Sequence, residues 1–169
     1  METLEKSIEV TAPIHQVYEQ WSHFEEFPRF MEGLESVTRS DQNHLHWIAN
    51  VSGQRKAWDA EIVEQIPDQK IAWKSTGGAI NSGEVEFNSL DGQHTRIILH
   101  LSYQPEGIME HVGSSLGLLS RRIENDLTRF KHYVQDHEGN RNTGTATESE
   151  NKPNPNVPAD YDTSGKSGV

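Results

Sequence analysis

Cysteine is absent from the 169 residues. No disulfide framework, thiolate nucleophile or thiolate metal site can be built, and the chain suits a reducing compartment. Long apolar runs are missing too, since none approaches the roughly 18 residues that a membrane span needs. The Met1–Lys6 start lacks the basic segment and apolar run of a secretory signal. The expectation is a cytoplasmic protein with no stable membrane insertion. Basic charge is scarce, with 15 Lys and Arg against 26 Asp and Glu and a net charge of −11. Such a surface repels phosphate backbones and anionic lipid, so no nucleic-acid partner is expected.

Apolar residues are few, at 33% of the chain, and they are unevenly spread. From Glu138 to Val169 the apolar side chains are Ala146, Val157, Ala159, Tyr161 and Val169. That stretch cannot bury enough surface to offset its ordering entropy, so 138–169 is read as a disordered polar tail and 1–137 as the folded domain. The tail carries five acids against three bases, so the acidity belongs to the domain.

Within the domain, Leu4, Ile8 and Val10 alternate with polar residues and predict a strand over 3–10. Thr11 is placed as the N-cap of a helix with Pro13 in its first turn, followed by the stripe Ile14, Val17, Tyr18 and Trp21. Phe24, Phe27, Phe30 and Met31, interrupted by Pro28, predict a second short helix or turn ending at Gly33. Six strands follow, over 34–39, 44–51, 54–66, 70–76, 83–90 and 94–104. Turns at Asp41-Gln42-Asn43, Ser52-Gly53, Pro67-Asp68, Gly77-Gly78 and Asp91-Gly92 separate them. From 109 to 136 the period becomes helical, with Val112, Leu116, Leu119, Ile123, Leu127, Phe130 and Val134 on one stripe. Gly113 and Gly117 weaken its first half. Sequential strands joined by short turns make an antiparallel meander whose apolar face needs a cover, and the long last helix is the element large enough to supply it.

Several strings in this order carry a family resemblance. They are Ala12-Pro13-Ile14 with Val17-Tyr18, Trp21-Ser22 to Phe24, Phe27-Pro28-Arg29-Phe30-Met31, His46-Trp47, Trp58-Asp59-Ala60-Glu61-Ile62, Ile71-Ala72-Trp73-Lys74-Ser75, Gly83-Glu84-Val85 and Asp126-Leu127 to Arg129-Phe130-Lys131. With them the chain resembles the polyketide cyclase/dehydrase branch of the START-like (SRPBCC) superfamily over nearly the whole domain. The resemblance implies an α+β helix-grip fold of the START/Bet v 1 kind. In it a curved seven-stranded antiparallel sheet, with two short helices after the first strand, grips the long C-terminal helix around an apolar cavity.

Four tryptophans are many for such a domain. Trp47, Trp58, Trp73, Phe87, Tyr103, Met109 and Leu119 are the candidate cavity-lining residues, a wall of aromatic surface for a planar or greasy ligand. The plainer alternative is ordinary core. For acid–base chemistry the candidates are Arg55, Glu84, His46, His100 and Tyr103. Glu84 and His100 fall on polar strand faces, and no catalytic residue is assigned. His44 and His46 share a face but have no third ligand at a recognisable spacing, so no metal is expected. No phosphate loop or nucleophile elbow is present, and no cofactor is expected. Gly107, Gly113 and Gly117, mixed with Ile108, Met109 and Val112, suggest a lid over the cavity mouth. Three functions fit. The first is a binder of a small apolar or aromatic molecule such as a lipid, quinone or polyketide-like metabolite. The second is a cofactor-independent cyclase/dehydratase acting on such a molecule. The third is a partner-binding protein with a vestigial pocket.

Overall fold

The structure is a computed structural model. It describes the backbone of residues 1–51, 53–104 and 114–150, and the side chains of 1–50, 53–104 and 117–137. Seven strands appear: β1 (Glu2–Val10), β2 (Leu34–Arg39), β3 (His44–Val51), β4 (Gln54–Ile66), β5 (Lys70–Gly78), β6 (Asn81–Asp91) and β7 (His94–Tyr103). A helix α1 (Ile14–Ser22) and a 3₁₀ turn (Phe24–Arg29) separate β1 from β2, and a helix α2 spans Ser114–Glu150. The strands form one antiparallel sheet in the order β1-β7-β6-β5-β4-β3-β2. The expected element order is therefore realised.

Three local expectations need correction. Thr11 does not cap α1, because Pro13 holds the N-cap with an extended ψ of 148°, and its carbonyl accepts from the Gln16 and Val17 N–H groups. Thr11 instead donates its N–H to the Gln135 side chain at 3.0 Å. Gly77-Gly78 does not break β5, which runs on through Gly78. The long helix does not stop at Asp136 but continues to Glu150. Once a helix is nucleated, each further residue adds one hydrogen bond, so a polar sequence extends it without an apolar stripe. The chain divides into two compact units, Met1–Asp136 and His137–Val169. Of the expected tail, 138–150 is helical and the remainder lies outside the described residues.

The first unit is held together by rings. Trp21 meets Phe27, Phe87 and Phe130 edge-on at 5.6, 6.2 and 5.0 Å, and Phe30 packs on Phe27 and Phe130 at 5.3 Å. The apolar stripe of α1, the rings of the 3₁₀ turn and the last turns of the α2 stripe thus converge on one cluster. Edge-to-face pairs of this kind each contribute about 0.5–1.5 kcal/mol beyond their buried area. Thr95, the one buried polar residue among those described, donates its hydroxyl to the Ala12 carbonyl and fixes the chain where it leaves β1.

The outer sheet face carries ion pairs between facing residues of neighbouring strands. His46 pairs with Asp59, Glu61 with Lys74, Glu5 with His100 and Glu9 with Arg96. Two hairpin turns repeat an Asp-x-x-His device, in which Asp41 and Asp91 each accept from the backbone and contact the ring of His44 or His94. The Asp41 contact raises the His44 pKa above its ordinary 6.5, and Asp68 does the same for His15. The His44 ring lowers Asp41 below 3.8, and backbone N–H donation from Gln93 lowers Asp91.

Those shifts predict a pH profile. The raised histidines contribute stability that is complete below pH 6.5 and is lost as pH rises through their folded values. The lowered aspartates contribute stability that is present above pH 3.8 and is lost as pH falls through theirs. These four groups together favour the folded state most between the two limits. Urea unfolding across pH 3–9 is expected to show His44→Gln flattening the decline above pH 6.5. An unchanged slope would remove His44 as a contributor.

Candidate functional site

Burial along the inner sheet face falls from one end of the strands to the other. Val10, Thr95, Ile97, Phe87, Val85 and Ile71 are buried, whereas Leu4, Leu101, Tyr103, Trp73 and Trp58 are half-buried. Register places that second group together, because Leu4 faces Leu101, Tyr103 faces Asn81, and Trp73 faces Gly83. Two contacts orient α2 over them. Thr11 meets Gln135, and Lys6 meets Glu124, so the helix runs in the same direction as β1. Its Leu127, Phe130 and Val134 therefore seal the filled end, and the half-buried Leu119 and Ile123 cover the looser end.

Two tryptophans dominate that end. Trp47 and Trp58 face each other across β3 and β4 and stack at 5.8 Å with planes only 7° apart. Trp47 also meets Phe27 edge-on at 5.8 Å, so it joins the aromatic core to the looser surface. Its Nε1 is buried and has no acceptor among the described residues. A buried indole N–H without a partner costs about 1–3 kcal/mol, and an acceptor brought by a bound molecule would recover it. Trp73 lies across Gly83, where a methyl group would meet the indole carbons at 2.6–2.8 Å and the His100 carbonyl at 2.6 Å. Glycine there leaves a groove for the ring. The indole Nε1 of Trp73 donates to Asn81 Oδ1 at 3.3 Å, and the Asn81 N–H donates to Ser75 Oγ at 3.0 Å, leaving a small polar group beside the rings.

The expected lining residues thus separate. Trp47, Trp58, Trp73 and Tyr103 share the inner face, and Leu119 stands on the covering helix. Phe87 lies deeper, 3% exposed and edge-on to Tyr18 and Trp21, as core beneath the wall. Periodicity alone assigns it the same face as the wall and does not reveal which end is filled. Met109 and most of the expected lid lie outside the described residues.

Of the acid–base candidates, only Tyr103 is on the inner face. Arg55 pairs with Glu35, His46 with Asp59 and His100 with Glu5 on the other side of the sheet. Glu84 joins Lys70 at 2.8 Å there. Glu84, Glu86 and His100 bring ligand atoms within 4.8 Å of one another, but the Lys70 ammonium already occupies Glu84. His44 and His46 are each engaged by their own aspartate.

Two features escape a reading of the sequence. Lys6 shares the inner face with Leu4 and Ile8, its stem along apolar surface and its ammonium on Glu124. Strict alternation contains that signal, although the partner on α2 is beyond it. The second is a clamp on the turn before β2. Arg122, Asp126 and Arg129 recur along one side of α2. Arg122 donates to the Glu32 carbonyl at 2.5 Å, Asp126 accepts from the Glu32 N–H at 3.3 Å, and Arg129 pairs with the Glu32 carboxylate at 3.0 Å. Burial raises the Asp126 pKa above 3.8, opposed by the Glu32 N–H and both guanidiniums. Above the clamp lies an open cleft of about 430 Å³ lined by Glu32, Gly33, Asn50, Leu118, Arg121, Arg122 and Asn125.

Known proteins share this architecture. Residues 10–131 match the family described as polyketide cyclase / dehydrase and lipid transport. An uncharacterised 17.2 kDa protein of Streptomyces lincolnensis is 42% identical over 137 residues, 80% of this chain and 91% of that protein. The Zhui aromatase/cyclase of a Streptomyces species superposes with a TM-score of 0.65 at 17% identity, covering 79% of this chain and 93% of that one. A START superfamily protein of Mycobacterium smegmatis superposes with a TM-score of 0.64 at 14% identity, covering 79% and 97%. At such identities the two structural likenesses establish the helix-grip fold alone. Among the described residues no helix is long and apolar enough to cross a membrane.

Proposed function

Because the chain belongs to the polyketide cyclase/dehydrase and lipid transport family, we propose that it holds a small apolar or aromatic molecule between the tryptophan wall and the first turns of α2. The observation that carries this reading is the burial gradient. The sheet and helix are sealed at the Phe130 end and left half-buried where Trp47, Trp58, Trp73, Tyr103 and Leu119 stand. A bicyclic guest burying about 200 Å² there gains about 5 kcal/mol before the costs of association. The likeness to an aromatase/cyclase and a START protein supports a guest of lipid or polyketide-like character.

The neutral fluorophore N-phenyl-1-naphthylamine tests the proposal. It is expected to bind with quenching of tryptophan emission. Trp58→Ala is expected to weaken it about tenfold, or about 1.4 kcal/mol, with the near-ultraviolet dichroism of the core retained. A wild-type protein that takes up no probe would favour a vestigial pocket and a role through partner contacts. Binding that is indifferent to Trp58→Ala would place the guest elsewhere.

A second reading, a cofactor-independent cyclase/dehydratase, rests on the inner-face position of the Tyr103 phenol. Four of the five acid–base candidates lie on the opposite face, which is why binding stands first. Loss of turnover in Tyr103→Phe with probe binding retained would reverse that order.

A further inference from the structure

The cleft above the Glu32 clamp is an electrostatic exception. The chain carries −11, yet this cleft is lined by two guanidiniums. Its one lining carboxylate, Glu32, is already neutralised by Arg129 at 3.0 Å. Arg122 spends one N–H on the Glu32 carbonyl and keeps its others. Arg121 is exposed and makes no ion pair or hydrogen bond among the described residues, which leaves five donors in a planar fork. Counting Arg121, Arg122 and Arg129 against Glu32 and Asp126, the cleft and its clamp hold one net positive charge. Asn50 and Asn125 add amide groups. Leu118, 65% exposed, adds an apolar side chain one turn before Arg121 and Arg122. On the same turns of the helix, Leu119 and Ile123 are half-buried over the sheet. Charge on one flank and apolar surface on the other describe a seat for a molecule with both characters.

Resting on the reading that the domain holds an apolar guest, we infer that the cleft receives the anionic head of that guest. Its natural ligand is then an amphipathic acid whose apolar part lies against the tryptophan wall. Arg121 is the binding residue for the head, and Arg122 a second donor held in place by the Glu32 turn. Charge-assisted bonds from a guanidinium are about twice as strong as neutral ones, which gives the charged head its advantage. A carboxylate and a phosphate present the same chemistry to this fork.

Displacement of N-phenyl-1-naphthylamine by dodecanol, dodecanoate and dodecyl phosphate reads the inference in the full chain. At low salt one of the acids is expected to displace the probe about tenfold more tightly than dodecanol, and the better acid names the head group. Arg121→Gln is expected to reduce that advantage to about twofold, with dodecanol unchanged. Lys74→Gln, which removes the same charge from the outer sheet face, should leave it intact. Equal displacement by dodecanol and both acids, or an undiminished advantage in Arg121→Gln, overturns the inference. If no long chain displaces the probe, the cavity reading fails separately. The cleft is then read by amide shifts with octanoate. Saturating shifts at Arg121 and Asn125 keep the anion seat, and their absence removes it.

Discussion

Phe130→Ala is expected to lower the unfolding free energy by about 3–5 kcal/mol. The ring is fully buried and touches Trp21 at 5.0 Å and Phe30 at 5.3 Å, so the truncation removes contacts to α1 and to the 3₁₀ turn together. Those neighbours are themselves held against Phe27, Trp21 edge-on and Phe30 tilted, which limits how far they can collapse into the space. Typical domains have only about 5–15 kcal/mol of stability, so the variant should show a much earlier urea midpoint. Leu119→Ala offers the contrast. Its side chain is half-buried over the looser end, and the expected cost is about 1 kcal/mol or less. Similar costs at the two positions would mean that the burial gradient, and with it the space for a guest, is not present in solution.

The second large effect is expected at Gly33. Its φ of +81° lies in the left-handed region, and a methyl group there would meet Arg122 Nη2 at 2.4 Å and the Asn50 carbonyl at 2.7 Å. Arginine can swing away, but Asn50 cannot, because its N–H already donates to the Gly33 carbonyl at 2.6 Å. Alanine should cost about 1–3 kcal/mol through backbone conformation, with the displaced β3 contact added to it. Gly53 isolates the two parts. Its φ is +82° and nothing lies within 4 Å of an added methyl, so Gly53→Ala reports the conformational cost by itself. Gly33→Ala should exceed it in urea unfolding and should also release Arg122 from the Glu32 carbonyl. If the two variants cost the same, the crowding around Gly33 is relieved without loss and the clamp is slack.

Most of the strand pattern was legible because each strand alternates and each hairpin announces itself by Gly, Pro or Asp. The clean case is β7, where Ile97, Leu99, Leu101 and Tyr103 fall inward as alternation requires. Alternation fixes which face a residue takes, but it is blind to position along the strand. Phe87 and Trp73 therefore look equivalent in sequence, although one lies under the aromatic cluster and the other at the looser end. Helical periodicity has a similar blind spot. It puts Arg122, Asp126 and Arg129 on polar faces of α2, but their partner is a turn about 90 residues earlier, and only the closed fold brings it near. The start of α1 misled for another reason. Thr11 and Pro13 both suit a helix start, but the first helical bonds close on the Pro13 carbonyl, two residues past Thr11.

The ion pairs on the outer sheet face bear on how the strands find one another. Slipping one strand by a single residue turns its apolar side chains to water and is strongly disfavoured. A slip of two residues keeps that parity, so the apolar pattern barely opposes it. Charge does oppose it. Glu5 and Glu9 face His100 and Arg96 in the native pairing of β1 with β7, but a two-residue slip would set Glu5 opposite Ile98 or Ser102. The same shift between β4 and β5 would move Glu61 from Lys74 to Ala72 or Thr76. Each exposed pair contributes only about 0.2–1 kcal/mol, yet along a seam they separate pairings that the core treats as equal. The outer face thereby acts as a vernier for the meander, and neutralising it should cost fidelity of strand pairing during folding more than stability of the finished sheet.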